Sequence, residues 1–308
     1  MARQQRSDLP FLLEFQNWIC ETHVAGCASD DSLESGLQDF IPDGEVHLYL
    51  KHQDRCLRIL AELFDHDDIV VDKRTLLASY SKVFAILVKI GSGRYIASFL
   101  KHAELGDDRL PLSAKPGSFP SGVRFDAFRH EQFRFCAAVF DRERHSFESD
   151  RILPYLQKTE VGRGVSSVVH KIKVHGRHAI GPRFQDQSSS PSEPRIYALK
   201  EYTGQRARDL HDYEVNAFTR FGRTGIEKRH MVRFLCSYTQ EGTYNAVLEF
   251  ADLGTLEDFM TSRQNPSTNG EVLMFWTQFL QLVEAFVHMH DIQDPLNAIM
   301  STGYVRTR

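Results

Sequence analysis

Residues 160–174 read Glu160-Val161-Gly162-Arg163-Gly164-Val165-Ser166-Ser167-Val168-Val169-His170-Lys171-Ile172-Lys173-Val174, and after a polar interruption the chain resumes as Arg195-Ile196-Tyr197-Ala198-Leu199-Lys200. The first part is a glycine turn between two strand-like runs; the second is a short apolar strand ending in a lysine. Glycines let a backbone approach a polyphosphate closely, and the lysine supplies a fixed positive charge for it. The context of the turn narrows the choice. A dinucleotide-binding turn leads from a strand into a helix, with a third glycine and an acidic residue about 20 residues later. Here Ser167 stands where the third glycine would be, and the run that follows alternates like a strand, Val169, Lys171 and Lys173 against His170, Ile172 and Val174. That disposes of an oxidoreductase built on this turn. The Gly-Lys-Ser/Thr of a P-loop does not occur either. What remains is strand, glycine turn, strand, and then Ala-x-Lys.

This order resembles the start of a protein kinase domain, and the resemblance extends over roughly residues 155–290. It implies an α+β chain: a kinase-like N-lobe, made of an antiparallel sheet plus one helix, followed by part of a helical C-lobe. Leu156 to Val161 and Val168 to Val174 would be its first two strands. By the resemblance, Gly162 and Gly164 cover the phosphates of ATP, Val161 and Val169 sandwich the adenine beside Ala198, and Lys200 holds the α- and β-phosphates. Lys200 then needs a glutamate on the next helix. Residues 206–221 carry Leu210, Tyr213, Phe218 and Phe221 at helical intervals, with Glu214 among them. Burying Lys200 without a counter-charge is costly, which gives the pairing a physical reason.

Further on, Met231-Val232-Arg233-Phe234 resembles strand four, and Tyr244-Asn245-Ala246-Val247-Leu248-Glu249-Phe250-Ala251 resembles strand five and the hinge. Leu248 would be the gatekeeper, and the backbones of Glu249 and Ala251 would bond the adenine edge. Gly254-Thr255-Leu256-Glu257-Asp258-Phe259 would begin the next helix. Asp252-Leu253-Gly254 looks like a magnesium-binding Asp-Phe-Gly, but it follows the hinge directly and precedes the place of a catalytic loop, so its position rules it out.

The chemistry-bearing motifs of the family do not follow. Glu271 to His290 reads as a long apolar helix, with Leu273, Trp276, Leu280, Val283 and Val287 on one face and Phe275, Phe279, Leu282 and Phe286 on another. After it, neither Asp291 nor Asp294 has an Asn five residues later, and no Asp-Phe-Gly occurs. Mg2+ is therefore expected for the family while its ligands are missing from this sequence. The His288-x-His290 pair reads as helix-end histidines rather than a metal site. These features lead to the expectation of a truncated kinase with Ser301 to Arg308 as a non-native tail. Two functions are carried forward. One is a protein kinase domain that binds ATP and, in a full-length form, transfers phosphoryl groups to protein Ser/Thr. The other is a catalytically inactive, pseudokinase-like scaffold or interaction protein.

Composition sets the frame. The chain has 308 residues, 42% hydrophobic and 25% charged, ordinary for a globular protein with room for two modest domains. A formal charge of −4 argues against a general nucleic-acid binder. Its 5 cysteines form no CxxC pair and no zinc spacing, which suits reduced thiols. The most apolar run, Val83 to Ile90, falls far short of the ~20 residues that span a bilayer. An intracellular protein, cytoplasmic or nuclear, without membrane partners is expected.

Residues 1–150 read as a mainly helical region of unassigned role, and 151–308 as the partial kinase domain. In the former, Leu12, Phe15, Trp18 and Ile19 suggest an opening helix after Ser7-Asp8, and Leu50, Leu57, Leu60 and Phe64 a second one. Leu76, Leu77, Tyr80, Val83, Phe84, Leu87 and Val88 form one stripe ended by Gly91-Ser92-Gly93. Tyr95 to Leu100 reads as a short helix, residues 106–122 as a loop, and Phe133, Phe135, Ala137 and Val139 as an alternating strand. Residues 175–194, rich in Ser, Pro and Gly, have the composition of a disordered surface insertion with serines open to phosphorylation. A regulatory or substrate protein is the partner expected besides ATP.

Overall fold

The computed structural model describes residues 10–26, 39–64, 71–181, 183–184, 190–223, 232–252, 261 and 266–290. Two compact units divide the chain: Met1–Thr159 with Ile172–Ile196, and Glu160–Lys171 with Tyr197–Arg308.

The first unit is built on short helices whose apolar faces meet in one core. Helix α1 (Phe11–Glu21) buries Phe15 and Ile19. The expected second helix is two, α2 (Glu45–Lys51) and α3 (Arg55–Leu63). Between them Gln53 and Asp54 have left-handed backbone, φ 50° and 55°, which a right-handed helix cannot carry through. The long stripe at 76–88 is likewise divided, into α4 (Lys73–Ser79) and α5 (Ser81–Lys89), at Tyr80 with φ −140°. Each half has its own cap. The Asp72 carboxylate accepts from the Arg74 and Thr75 N–H groups at 3.0 and 3.3 Å. Asp107 accepts from those of Lys82 and Val83 at 3.0 and 2.9 Å. A helix start leaves backbone N–H groups without internal partners, and both carboxylates supply them. Helix α5 is buried from Val83 to Val88.

Helix α6 (Ile96–Phe99) lies where the sequence places it. The expected strand at 133–139 is overturned. Phe133 and Phe135 end helix α7 (Phe125–Phe135), whose buried Phe128, Gln132 and Phe135 recur at helical spacing. The Gln132 amide bonds the Leu112 backbone twice, accepting from its N–H at 2.8 Å and donating to its carbonyl at 3.0 Å.

The described part of residues 175–194 also departs from expectation. His175, Gly176, His178, Ala179, Gly181 and Phe184 are buried in the first unit. Arg177 pairs with Glu45 at 2.8 Å. Ser188 and Ser189 lie outside the described residues, as do the proposed caps Ser7 and Asp8.

Six strands form one sheet: β1 (Arg144–Phe147), β2 (Tyr155–Arg163), β3 (Ser167–Val174), β4 (Arg195–Tyr202), β5 (Phe234–Gln240) and β6 (Thr243–Glu249), in the order β1-β5-β6-β4-β3-β2. β4 and β5 both pair antiparallel with β6. The fold is thus mixed α+β. β5 starts at Phe234, where the sequence reading ended strand four, and a register shift between Phe234 and Cys236 marks its entry. Met231 lies outside the described residues.

In the second unit, helix α8 (Ala207–Arg223) covers a small core of Tyr202, Val215, Phe234 and Ala246, with Leu210, Phe218, Tyr244 and Leu248 packed around it. Helix α9 (Asn269–His290) leaves Leu273, Trp276, Leu280 and Val283 exposed. Among the described residues no helix is long and apolar enough to cross a membrane.

Candidate functional site

The candidate site lies within the second unit and centres on β4. Side chains two apart on a strand leave the same face, so Ala198, Lys200 and Tyr202 line up. Opposite them in register stand Leu248, Ala246 and Tyr244 of β6. This shared face meets the underside of α8. There the Lys200 ammonium donates to both oxygens of Glu214, at 2.8 and 2.6 Å. Lys200 and Glu214 keep 25% and 31% of their side-chain surface, so the pair can be reached by a ligand and is still partly shielded from water. A charged pair at that depth is stronger than one on the surface, and its accessible ammonium can also meet an anion.

The glycine turn connects β2 to β3. The Gly164 N–H donates to the Ser167 carbonyl at 2.8 Å, and the Thr203 N–H to the Ser166 carbonyl at 2.9 Å. The second bond ties the turn to the end of β4, just beyond Lys200. A Cβ on Gly162 would meet nothing within 4 Å, and one on Gly164 would meet Ser167 at 3.6 Å. Both glycines therefore leave open space above the turn, and neither adopts a left-handed backbone. Arg163 folds back to bond both oxygens of Glu160, at 3.0 and 2.7 Å. Val161 is half exposed, and Val169 is half-buried.

At the end of β6, Leu248 is half-buried against the small core, while Glu249 and Ala251 are exposed. The Glu249 N–H donates to the Arg233 carbonyl at 2.8 Å. Lys171 stands over the Phe250 ring, 4.8 Å from its centroid. Gly254 to Phe259, the segment expected to begin the next helix, lies outside the described residues.

Two residues of this site were missed from sequence. Tyr202 is buried, and the Lys200 ammonium lies 5.2 Å from its ring centroid. Burial, reinforced by the Glu214 carboxylate, pushes the Tyr202 phenol well above its ordinary value. His211, also buried, stands edge-on to Tyr202 with centroids 5.5 Å apart. Both had a signal: Tyr202 is two positions after Lys200 on a strand, and His211 three before Glu214 on a helix.

A separate cleft of 240 Å³ lies in the first unit, lined among others by Asp43, His47, Ser81, Lys82 and Asp107. It contains none of the residues singled out for nucleotide binding. Its charges are internally paired, Lys82 Nζ to Asp43 at 2.5 Å and Asp107 to the start of α5. Among the described residues no group of three or more His, Cys, Asp or Glu side chains could hold a metal ion. No protein-family model matches this chain, and no curated protein matches it.

Proposed function

We propose that the second unit is a protein-kinase-type lobe that binds ATP. The observation that carries this reading is the bidentate contact of Lys200 on β4 with Glu214 on α8, a pairing anticipated from Ala-x-Lys and the helix after it. Lys200 would take the α- and β-phosphates, and Gly162 and Gly164 would lie over them. Val161, Val169, Ala198 and Leu248 would flank the adenine, with the Glu249 carbonyl and Ala251 N–H on its edge. Phosphoryl transfer needs a positioned nucleotide, Mg2+ and a nucleophile together. The sequence supplies side chains for the first of these. Phosphoryl transfer to protein Ser/Thr, and Mg2+ with it, is accordingly proposed only where a catalytic loop of the family's kind completes the lobe.

A second reading draws on α9, where Trp276 and Leu280 are more than half exposed. Apolar surface of that kind marks binding to other proteins, and fits a pseudokinase-like scaffold.

Thermal unfolding with and without millimolar ATP, with and without Mg2+, separates the two. A ligand at 100 times its Kd stabilises by about 2.7 kcal/mol, which shifts the midpoint by several degrees. The ATP reading expects that shift in the wild type and its loss in Lys200→Met. An unshifted midpoint and no calorimetric heat of ATP binding would overturn it in favour of the scaffold.

A further inference from the structure

Tyr202 touches both members of the Lys200–Glu214 pair. Its ring lies beneath the Lys200 ammonium at 5.2 Å, and the electron-rich face of an aromatic ring attracts a cation in that position. From the helix side His211 meets the same ring edge-on at 5.5 Å, and Tyr244, opposite Tyr202 in register, packs on His211 at 5.6 Å. The ring is therefore fixed on two sides. Its hydroxyl is buried and lies beside the Glu214 carboxylate, near enough to interact with it but without the geometry of a full hydrogen bond. A buried hydroxyl short of a full hydrogen bond is costly and calls for a reason.

We propose that Tyr202 is a positioning residue for this pair: its ring carries the Lys200 ammonium, and its hydroxyl becomes the donor to Glu214 when a polyphosphate engages Lys200. The ammonium now gives hydrogen bonds to both Glu214 oxygens. A phosphate oxygen that takes one of them leaves a carboxylate oxygen short of a donor in a partly shielded site. The Tyr202 hydroxyl fills that shortage at no loss, since it gives up no bond elsewhere. The exchange lets the lysine serve its ligand without releasing the helix that bears Glu214. The role in holding the ammonium stands on the ligand-free geometry; the exchange rests on the ATP reading above.

Two measurements on the full chain test this, with Tyr202→Phe and Tyr202→Leu each first shown to melt cooperatively. The first needs no nucleotide: the rate at which trinitrobenzenesulfonate modifies Lys200, read by peptide mass spectrometry. Loss of the ring in Tyr202→Leu frees the ammonium and raises that rate roughly fivefold, while Tyr202→Phe, which keeps the ring, stays within about twofold of wild type. The second is calorimetric ATP binding. Tyr202→Phe weakens it roughly threefold, and that loss disappears when Glu214 is already Gln, because the hydroxyl acts through the carboxylate. A purely structural tyrosine gives additive losses instead. Wild-type modification rates in Tyr202→Leu would overturn the positioning role, and an undiminished Tyr202→Phe loss in the Glu214→Gln background would overturn the exchange. If Tyr202→Leu does not fold, Tyr202→Met replaces it. Should the wild type bind no ATP, the ATP reading and the exchange fall together, and the modification rates still decide the positioning role.

Discussion

The His178 imidazole accepts a hydrogen bond from the Asp43 backbone N–H through Nε2 at 3.0 Å, while its Nδ1 donates to the Ala138 carbonyl at 2.8 Å. Both bonds together require the neutral ring protonated on Nδ1. Burial pushes the His178 pKa down to about 4. The folded value thus lies below the ordinary one near 6.5, so the unfolded chain binds the proton more readily. Its contribution is fully present above pH ~6.5 and is lost as pH falls toward ~4, by about 3 kcal/mol if no other group compensates. Urea denaturation at several pH values checks this: relative to His178→Gln, wild type should lose stability steeply across that window. Parallel pH profiles would show that His178 is not the titrating group.

Gly176, two residues before His178, is fixed by close approach rather than by backbone freedom. A Cβ there would meet the Pro191 carbonyl oxygen at 2.6 Å and come closer still to that of Glu193. Both are backbone atoms and cannot swing aside. Gly176→Ala should therefore cost about 1–3 kcal/mol through forced displacement, measurable as a lower denaturation midpoint. An unchanged midpoint would mean that the two ends of this connection separate without loss.

That result also bears on what could be read from sequence. The strands around the glycine turn were legible because alternation and turn residues are local signals, and Glu214 was singled out because the resemblance calls for a glutamate on the helix after Lys200. The break at Tyr80 was not. The stripe from Leu76 to Val88 is continuous, and the carboxylate that caps α5 is Asp107, 24 residues beyond Val83. Gln132 offers the same lesson: its buried amide is satisfied by the backbone of Leu112, 20 residues earlier in the chain. Residues 175–184 were misread because Gly, Pro and Ser content speaks of chain entropy. The anchoring there comes from a few residues, His178 and Phe184 among them.

The Lys82–Asp43 pair invites a test with the opposite pH sign. Burial pushes Asp43 upward, but the Lys82 ammonium outweighs it and the carboxyl settles below its ordinary value. Asp107 nearby is raised by burial despite its bonds to the start of α5. Lys82→Met removes the cation and leaves two carboxylates in one partly buried cleft, a loss of about 2–3 kcal/mol at neutral pH. In the variant the Asp43 pKa rises above its unfolded value, so acid neutralises the penalty. The stability gap between variant and wild type should narrow from pH 7 to pH 4. A gap that is constant or widens would show that Lys82 acts by packing of its stem rather than by charge.

The Lys200–Glu214 contact predicts a specific pattern of non-additivity without any ligand. Lys200→Met leaves Glu214 beside the buried Tyr202 with its cation gone, and Glu214→Leu leaves the ammonium over Tyr202 without its anion. Each single change exposes a mismatch that the double change removes. With about a quarter to a third of each side chain exposed, the coupling should exceed that of a surface pair and fall short of a fully buried one, roughly 1–2 kcal/mol. Urea denaturation of the two single variants and the double variant measures it. A coupling near zero would make the pair an incidental surface contact and remove the main support for a nucleotide site. A double variant as stable as wild type would show that the pair is dispensable for stability, as expected if its role is to hold a ligand.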